Sequence, residues 1–471
     1  MKKRTLMLSA LTLFAATASV SLTSCGGQDP AHTITFYHTM GDSLQKVLAT
    51  AVEDFEAKYP GWKIQAQQVG GYDDVKDAIT ADLRAEQQPD VAYCYADHVA
   101  SYLGSGMVLD LSNYIKNQDK LVVNVLNENN EYAQKEYDSI VGYTEAEVAD
   151  FVAGYYAEGY ATNYADYEAS GFTADSILTL PFVKSTEVLY YNKSALDDCK
   201  LQVPTTWDEL WACCKKIKQK YPNSTPLGYD SEANWAITMC EQNGWGYTSA
   251  SGDHYLFNND GLKGWFEDLN EHYEDDEYFT TQSIYGSYTS NLFIKGATEG
   301  SIFSIGSSGG ASHQATNEFT WGVAPIPGSV LPNGEVSHKV ISQGPSLVMF
   351  KSNQANAEEK QLMTWTFVKM LEEPLFQCSF AISSGYNPVR ETSYTVSDYV
   401  RFLDGDSIVA KTAVVGRDQM PYYFTSPAFV GSSTARKQIG SALVFAATGE
   451  KSAEEALVDA LAKCGVRSWL D

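Results

Sequence analysis

A serine flanked by glycines has the spacing of a catalytic nucleophile. Gly306–Ser307–Ser308–Gly309–Gly310 matches the G-x-S-x-G pattern that exposes a hydrolase serine on a tight turn after a strand. A triad of that kind needs an acid and then a histidine downstream, and the acids available are Glu318 and Glu335. Both lie too close in sequence to their partners to form such a relay. We therefore expect no hydrolase triad, whereas a pair of glycosidase carboxylates among the 59 acidic residues stays open.

Two loops that each follow a short apolar run hold residues suited to bind a ligand. The runs are residues 34–37 and 89–94, and between them lie a helical pattern at 41–59, a second strand at 62–69 and a helix at 72–88. This alternation predicts βα units around a mainly parallel sheet, in which ligands bind beyond the carboxyl ends of the strands. The candidates at those ends are His38, Thr39 and Met40 in the first loop and Tyr95, Asp97 and His98 in the second.

The charge balance excludes two classes of partner. The chain has 471 residues, with 33 Lys and Arg against 59 Asp and Glu, and a formal charge of −26. Such a surface repels nucleic acid and anionic lipid. The hydrophobic share of 44% is ordinary for a globular protein of two or three domains. The 30 Tyr, 20 Phe and 9 Trp predict aromatic rings at a surface or cleft, where one side is apolar and the other wet.

The N-terminus has the pattern of a secretory signal, with basic residues 2–4 before a short apolar stretch. The following Leu22–Thr23–Ser24–Cys25–Gly26 resembles the bacterial lipobox, which implies removal of residues 1–24 and lipidation of Cys25. We expect a polar linker over 25–31 and tethering by lipid alone, because no other run approaches the ~20 apolar residues of a spanning helix. Seven further cysteines, an odd number without zinc-like spacing, cannot all pair within the chain.

The middle of the chain departs from the regular alternation. Residues 117–176 form a polar, acidic stretch that ends rich in tyrosine, which we interpret as a partly helical insertion. Thr206–Trp207–Asp208–Glu209 has the form of a capping box and predicts a helix to about residue 221. Asn258–Asn259–Asp260–Gly261 lacks the remaining spacing of a calcium loop, which favours a helix cap.

Seven short segments carry a resemblance that none of them carries alone. They are Pro89–Asp90–Val91, Leu180–Pro181–Phe182, Leu189–Tyr190–Tyr191–Asn192–Lys193, Pro204–Thr205–Thr206–Trp207–Asp208–Glu209–Leu210, Phe293–Ile294–Lys295–Gly296, Trp321–Gly322–Val323–Ala324–Pro325–Ile326–Pro327 and Gly385–Tyr386–Asn387–Pro388–Val389–Arg390. In this order, the set resembles the extracellular solute-binding protein family 1, the sugar-binding lipoproteins of bacterial ATP-driven importers. The resemblance runs from about residue 32 to the C-terminus, and the insertion departs from it.

The resemblance implies an α/β architecture, the two-lobe periplasmic-binding-protein-like fold of type II. Each lobe is expected to hold a mainly parallel sheet flanked by helices, and hinge bending closes the lobes around a ligand. We expect the hinge to consist of chain crossings near residues 177–190, 296–301 and 342–346. The corresponding division gives 32–176 and 301–344 to the N-terminal lobe and 177–300 and 345–471 to the C-terminal lobe.

The resemblance also implies ligand contacts at particular positions. Aromatic faces stack on the apolar faces of a pyranose, while carboxylates and amides bond its hydroxyls, and Asp97 is the expected acceptor. Beyond the two loops, the implied contacts are Ser185, Glu187, Trp235, Ser308, Tyr422, Tyr423 and Phe429. Ser308 stands where the family often has an aromatic residue. Core packing of Trp235, Tyr422 and Phe429, hydrogen-bonded loop roles for both histidines, and capping or ion-pair roles for Asp97 and Glu187 stay open.

The function implied is that of an exported receptor without enzymatic activity. We expect a monomer, lipid-anchored outside the cytoplasm at the cell surface or in the periplasm, that binds a neutral mono- or oligosaccharide and delivers it to the permease subunits of an ABC transporter. No cofactor and no metal is expected. A polyamine or another small solute stays open as the ligand, because the chain is rich in acids and aromatics. A surface-anchored glycoside hydrolase and an adhesin are the further alternatives.

Overall fold

The computed structural model describes residues 29–274 and 276–465. The strands are β1 (Thr33–His38), β2 (Lys63–Gln68), β3 (Val91–Cys94), β4 (Lys120–Leu126), β5 (Tyr132–Ile140), β6 (Leu180–Pro181), β7 (Glu187–Asn192), β8 (Leu227–Tyr229), β9 (Phe279–Thr281), β10 (Phe303–Ser307), β11 (Trp321–Pro325), β12 (Ser329–Val330), β13 (Val336–Ser337), β14 (Val340–Ile341), β15 (Ser346–Met349) and β16 (Tyr423–Phe424). The expected signal peptide and Cys25 lie outside the described residues.

The α-helices are α1 (Asp42–Lys58), α2 (Tyr72–Arg84), α3 (Ala96–Tyr102), α4 (Ser112–Lys116), α5 (Glu145–Ala149), α6 (Ala153–Ala157), α7 (Lys193–Cys199), α8 (Trp207–Lys220), α9 (Glu232–Asn243), α10 (Asp260–Glu274), α11 (Gln282–Tyr285), α12 (Ser290–Phe293), α13 (Ala357–Leu371), α14 (Pro374–Ser384), α15 (Ser397–Leu403), α16 (Ile408–Asp418), α17 (Ser432–Ala447) and α18 (Ala453–Ala462). Within the described part of the chain, none of them combines the length and the apolar character that a bilayer crossing requires.

Two five-stranded mixed sheets organise the molecule. The first has the order β2-β1-β3-β15-β6, with β1 parallel to β2 and β3, and β15 antiparallel to both neighbours. The second has the order β11-β7-β10-β8-β9, with β7 antiparallel to its neighbours and β10, β8 and β9 mutually parallel. We call the parts packed on these sheets the first lobe and the second lobe. Half of the pairings are antiparallel, so the sheets are mixed rather than mainly parallel.

Period-two alternation in β3 puts apolar side chains on both faces of the first sheet. Val91 and Tyr93 belong to the cluster that packs against α1 and α13, whereas Ala92 and Cys94 belong to the cluster on the opposite face. A strand buried on both faces reads as a continuous apolar run, which is how residues 89–94 read in the sequence.

Local signals set several of the helix boundaries. Leu48, Ala51 and Phe55 of α1 recur at helical spacing and are buried. The hydroxyl of Thr206 caps α8 by accepting the backbone N–H of Glu209 at 3.3 Å, as the sequence predicts. Asn259 Oδ1 accepts the backbone N–H of Leu262 at 3.0 Å at the start of α10, so that segment is a helix cap and not a calcium loop.

Strand pairing corrects the expected division of the chain between the lobes. Strand β10, expected in the N-terminal lobe as part of 301–344, lies in the second sheet between β7 and β8. Strand β15, expected in the C-terminal lobe as part of 345–471, lies in the first sheet beside β3. Strand membership depends on backbone hydrogen bonds to segments that are remote in sequence, so local periodicity does not determine it.

The crossings between the lobes differ from expectation at one of three places. Residues 182–186 connect β6 to β7, and residues 342–345 connect β14 to β15, as expected. Residues 296–301 stay within the second lobe, because they join α12 to β10, which both pack in that lobe. The third crossing joins α15, packed on α14, to α16, which packs on β7 and β11.

The insertion packs onto the first lobe rather than standing apart from it. It contains short helices, as the expected partly helical insertion requires, and also the antiparallel hairpin β4–β5. The indole N–H of Trp62 donates to the Asn124 carbonyl at 2.8 Å, and that of Trp365 donates to the Val141 carbonyl at 2.7 Å. These bonds attach both ends of the hairpin to the first lobe.

Candidate functional site

A cavity with both polar and apolar lining lies at the carboxyl end of β3, where the two lobes meet. The loop after β3 and the insertion form one wall, and the start of α17 with the loop after α9 forms the other. The crossings at 184 and 342–346 form its floor. Its lining includes Tyr95, Asp97, Lys184, Gln343, Tyr247 and Arg436. The position matches the rule that open α/β sheets bind ligands beyond the carboxyl ends of their strands.

The floor is organised by a buried ion pair. Lys184 is 2% exposed, and its ammonium group is paired with the carboxylate of Glu158 from the insertion. The Ser342 hydroxyl donates to the other Glu158 oxygen at 2.7 Å, and Lys184 Nζ donates to the Ser346 hydroxyl at 3.3 Å. The network therefore joins the insertion to both crossings.

A second polar chain leads from the opposite wall into the second lobe. The guanidinium of Arg436 donates to the Asn234 side-chain oxygen, and Asn234 Nδ2 donates to Glu187 Oε1 at 2.9 Å. Tyr229 OH donates to Glu187 Oε2 at 2.5 Å. Burial raises the pKa of Glu187 to about 7, while these hydrogen bonds and the charge of Arg436 act to lower it.

Three hydroxyls among the residues that line the cavity have no hydrogen-bond partner within the described residues. They belong to Tyr247, Thr248 and Ser426. The side chain of Tyr247 is 4% exposed. Because a buried hydroxyl without a partner costs free energy, such groups point to a ligand or ordered water that completes their bonding.

A neighbouring polar recess extends the cleft on the other side of the crossings. Thr39 and Met40 of the first lobe face Ser312 and His313 of the second across Tyr386. A Cβ at Gly309 would lie 2.6 Å from the Tyr386 ring, so only glycine lets the lobes approach this closely.

One short segment touches both lobes at once. Ala428 is buried in a cluster of the first lobe, and the backbone N–H of Ala165 donates to its carbonyl at 2.7 Å. The ring of the next residue, Phe429, stacks on His254 of the second lobe at 4.5 Å. Lys76 Nζ also donates to the Ser433 hydroxyl across the cleft at 3.4 Å. These contacts join the two lobes beside the cavity.

The structure brings four of the sequence-predicted residues to the cleft. Tyr95 and Asp97 line the main cavity, and Thr39 and Met40 line the neighbouring recess. Tyr95 stacks on Tyr72 with ring centroids 4.2 Å apart. The expected loops after the first and third strands are therefore the parts of the first lobe that face the second.

The two histidines sit behind the cavity wall rather than on it. His38 is 1% exposed, its Nδ1 accepts the Met40 backbone N–H at 3.2 Å, and burial lowers its pKa to about 4. His98 is 3% exposed, with Nε2 3.9 Å from Asp97 Oδ1 and 3.8 Å from Asp73 Oδ1. Burial lowers the pKa of His98, while Asp97 and Asp73 oppose that shift. His38 is the last residue of β1 and His98 lies in α3, so neither occupies the loop position that the open alternative gave it.

Four other predicted contacts are buried next to the crossings or in the core. Ser185 exchanges backbone hydrogen bonds with Gln343, and Ser308 Oγ accepts the Thr186 backbone N–H at 3.2 Å. Glu187 lies beneath Asn234, and Trp235 is fully buried against Tyr229 at 4.6 Å. The buried, hydrogen-bonded Ser308 hydroxyl is unlike an exposed nucleophile.

The three C-terminal aromatics also lie off the cavity wall. Tyr422 is 47% exposed and lies 5.5 Å from the His338 ring. Tyr423 OH donates to the Gly416 carbonyl at 2.7 Å. Phe429 is buried on His254 and so supports the adjacent lining residues Ser426 and Pro427 from behind.

Sequence reasoning found Asp97 but missed the other charged residues of the cavity and all of its free hydroxyls. Glu158 and Tyr164 come from the insertion, whose tyrosine content was the available signal. Lys184 precedes the predicted Ser185 by one residue. Arg436 and Tyr247 gave no signal, because each lies in a segment without a recognisable motif.

The described residues contain no group of three or more His, Cys, Asp or Glu side chains arranged to hold a metal ion. The seven cysteines among them are all free, and six are buried. Burial raises the pKa of the Cys94 thiol, which lines the cavity. Cys94 is therefore a neutral donor, whose S–H lies 3.3 Å from the Ser346 carbonyl.

Two mixed sheets, three chain crossings and a cavity between the lobes define the class of two-lobe solute-binding proteins. The chain belongs to the family of bacterial extracellular solute-binding proteins, whose family model matches residues 50–402. This family membership confirms the kind of protein that the sequence motifs indicate.

Individual relatives agree with this assignment at low sequence identity. The sn-glycerol-3-phosphate-binding periplasmic protein UgpB of Yersinia pestis is 23% identical over 407 residues, covering 83% of this chain and 82% of its own. UgpB from Mycobacterium tuberculosis, solved with glycerophosphocholine, has a TM-score of 0.69 at 16% identity, covering 93% of this chain and 98% of its own. An ABC substrate-binding protein from Listeria monocytogenes, solved with cycloalternan, has a TM-score of 0.70 at 15% identity, covering 92% and 97%. These structures support the two-lobe fold.

Proposed function

We propose that the chain is the receptor of an ABC importer and binds a neutral mono- or oligosaccharide in the cavity between its lobes. The observation that carries the proposal is the set of three unpartnered hydroxyls on Tyr247, Thr248 and Ser426. Hydroxyls both donate and accept, which suits a polyhydroxylated ligand. The Tyr95 ring, on the wall opposite Tyr247 and Thr248, offers an apolar face to a pyranose.

Closure transmits the presence of ligand to the permease. A ligand that contacts Asp97 of the first lobe and Tyr247 of the second favours the closed arrangement over the open one. The permease then recognises the closed lobes and accepts the ligand unchanged, without enzymatic reaction. We include lipid anchoring through Cys25 and a monomeric state in the proposal, supported by the signal and lipobox pattern of residues 2–26.

Arg436 favours a second candidate ligand, a glycerophosphodiester. The guanidinium makes one hydrogen bond within the described residues, although it carries five N–H donors, and it lines the cavity. Free guanidinium donors recognise phosphate well. The names of the relatives that bind glycerol phosphate and glycerophosphocholine point in the same direction.

A thermal-shift screen of the purified protein separates these ligands. Neutral sugars, glycerophosphocholine and spermidine are tested one at a time, with an assay for released reducing ends. A ligand at 100 times its Kd stabilises the fold by about 2.7 kcal/mol, which raises Tm. A shift with a neutral sugar, without product, supports the main proposal. A shift with glycerophosphocholine that Arg436→Gln removes favours the phosphodiester, and product release contradicts a receptor role.

The anchor is tested in the cell. Wild-type protein labelled with a radioactive fatty acid should carry the label and sediment with membranes, whereas Cys25→Ser should carry none and appear in the soluble fraction. Unlabelled wild-type protein would contradict lipid anchoring while leaving the receptor proposal intact.

A further inference from the structure

Four of the nine tryptophans in the chain line one groove on the second lobe, away from the interlobe cavity. They are Trp207, Trp211, Trp245 and Trp265. The groove encloses about 300 Å³ between α8, α10 and the end of α9. Asn234, beside the interlobe cavity, and Asn243, in the groove, stand nine residues apart on α9, or about 13 Å at 1.5 Å per residue. The groove is therefore a separate place on the same lobe.

The tryptophans of this groove are held in fixed positions. Trp207 donates its indole N–H to Gln242 Oε1 at 2.9 Å. Trp211 packs on the His272 ring with centroids 4.3 Å apart. Trp245 lies on the backbone of Gly261, where a Cβ would come within 2.5 Å of Trp245 Cδ1. Trp207 and Trp265 are buried in the core of the second lobe, so the accessible aromatic surface of the groove comes mainly from Trp211 and Trp245. Aromatic rings held in this way cost a ligand little ordering entropy.

The groove also offers hydrogen-bonding groups that the described residues leave unused. The indole N–H groups of Trp211, Trp245 and Trp265 donate no hydrogen bond there. The exposed carboxylates of Asp208 and Asp268, at the rim, have no hydrogen-bond or ion-pair partner there. Aromatic surface thus alternates with free donors and free acceptors.

This combination selects one ligand chemistry. An organic cation would use the carboxylates and the ring faces, but three indole N–H groups would point positive charge at it. An anion would be repelled by the two carboxylates at the rim. A pyranose ring uses every group, because its C–H face packs on indole and its hydroxyls both accept from N–H and donate to carboxylate. We propose that the groove is an accessory site for neutral pyranose units of an extended glycan, distinct from the interlobe cavity.

The test uses native electrophoresis of the full-length protein in gels that contain soluble starch, xylan, mannan, β-glucan or pullulan. Such polymers are too long to be enclosed whole between the lobes, but a chain end can enter the cavity, so variants of the groove and of the cavity are compared. At least one polymer should retard the wild type. Asp268→Ala and Trp211→Phe, which keep the helix packing, should each weaken that retardation at least fivefold. Glu267→Ala, an exposed acid next to Asp268 but outside the groove, is the matched control.

Each result tests the accessory glycan site separately from the ligand proposed for the interlobe cavity. Tyr247→Phe alters only the cavity and should leave retardation unchanged. Retardation that Tyr247→Phe abolishes and Asp268→Ala leaves intact overturns the accessory site in favour of the cavity. Absence of retardation by all five polymers also overturns it. Tryptophan quenching by spermidine that Asp268→Ala abolishes, without glycan binding, reassigns the groove to cations. The melting temperature of each variant checks that it folds.

Discussion

The ammonium group of Lys184 and the carboxylate of Glu158 form a buried ion pair at the point where two chain crossings meet the insertion. The insertion therefore belongs to the binding apparatus, because its carboxylate holds the first crossing directly and the second through Ser342. Lobe movement about these crossings changes the surroundings of the pair. Stability and closure should thus both depend on it.

Lys184→Met should destabilise the fold by about 3 kcal/mol, because it leaves the Glu158 carboxylate buried without its counter-ion. The free energy of unfolding in urea measures this loss. Lys193→Met, which breaks an exposed pair with Asp197, is the control and should cost less than about 1 kcal/mol. Equal losses in the two variants would contradict the structural importance of the buried pair.

Gly344→Ala should disrupt the second crossing. Gly344 has a φ of +93°, and a Cβ there would lie 2.3 Å from the Val183 carbonyl oxygen and 2.8 Å from Lys184 Cα. Gly334 has a φ of +84° with open space around it, so Gly334→Ala incurs only backbone strain of about 1 kcal/mol. Urea unfolding should give at least twice that loss for Gly344→Ala. Similar losses would mean that the crossings can move apart freely.

Glu187 should make stability depend on pH in a defined direction. Its folded pKa of about 7 lies above the ordinary value of 4.5, so the protonated carboxyl stabilises the fold below pH 4.5. That contribution is lost as pH rises through 7, at up to about 1.4 kcal/mol per unit. Relative to wild type, Glu187→Gln should therefore gain about 3 kcal/mol between pH 4.5 and 7.

The control for this pH dependence is Glu209. Hydrogen bonds from the backbone and side chain of Thr205 lower the pKa of Glu209, so its contribution is present above pH 4.5 and is lost as pH falls. The difference in unfolding free energy between Glu209→Gln and wild type should therefore fall as pH rises toward 4.5, whereas the difference for Glu187→Gln rises with pH. If unfolding curves give Glu187→Gln the same slope as Glu209→Gln, the buried carboxyl is not protonated in the fold.

Tyr247→Phe should weaken ligand binding about 5- to 10-fold while leaving the stability of the free protein unchanged or raised. The Tyr247 hydroxyl is buried at the cavity without a partner, so removing it costs the fold nothing and costs the complex one hydrogen bond. Calorimetric titration and thermal melting measure the two effects. Tyr102→Phe removes an unpartnered hydroxyl away from the cavity and should leave affinity unchanged.

Local sequence patterns predicted the strands, helices and helix caps that depend only on residues close together in sequence. The strands at 34–37, 62–69 and 89–94 and the helices between them follow from alternation and helical spacing. The Thr206 cap follows from a hydrogen bond between Thr206 and Glu209, which are three residues apart. The loops that hold Asp97 and Thr39 were then predicted to face the ligand, because ligands in such sheets bind at the carboxyl ends of the strands.

The presence of an aromatic residue in the sequence did not show whether its side chain lines the cavity or packs in the core. Trp235 and Tyr247 both belong to the buried cluster of the second lobe, yet of the two only Tyr247 lines the cavity. Phe429 supports the wall from behind, and Tyr422 faces solvent. All four residues satisfy the same apolar preference, and their roles depend on how neighbouring elements pack.

The sequence by itself determined the charge, the export pattern, the types of the main elements and the family resemblance, because each depends on residue identities and short local patterns rather than on contacts between distant segments. Only the tertiary structure decided that β10 joins the second sheet and β15 the first, and that Arg436 faces the same cavity as Asp97, 339 residues earlier. Backbone pairing between distant strands sets these relationships. A cleft between two lobes is made entirely of such long-range contacts.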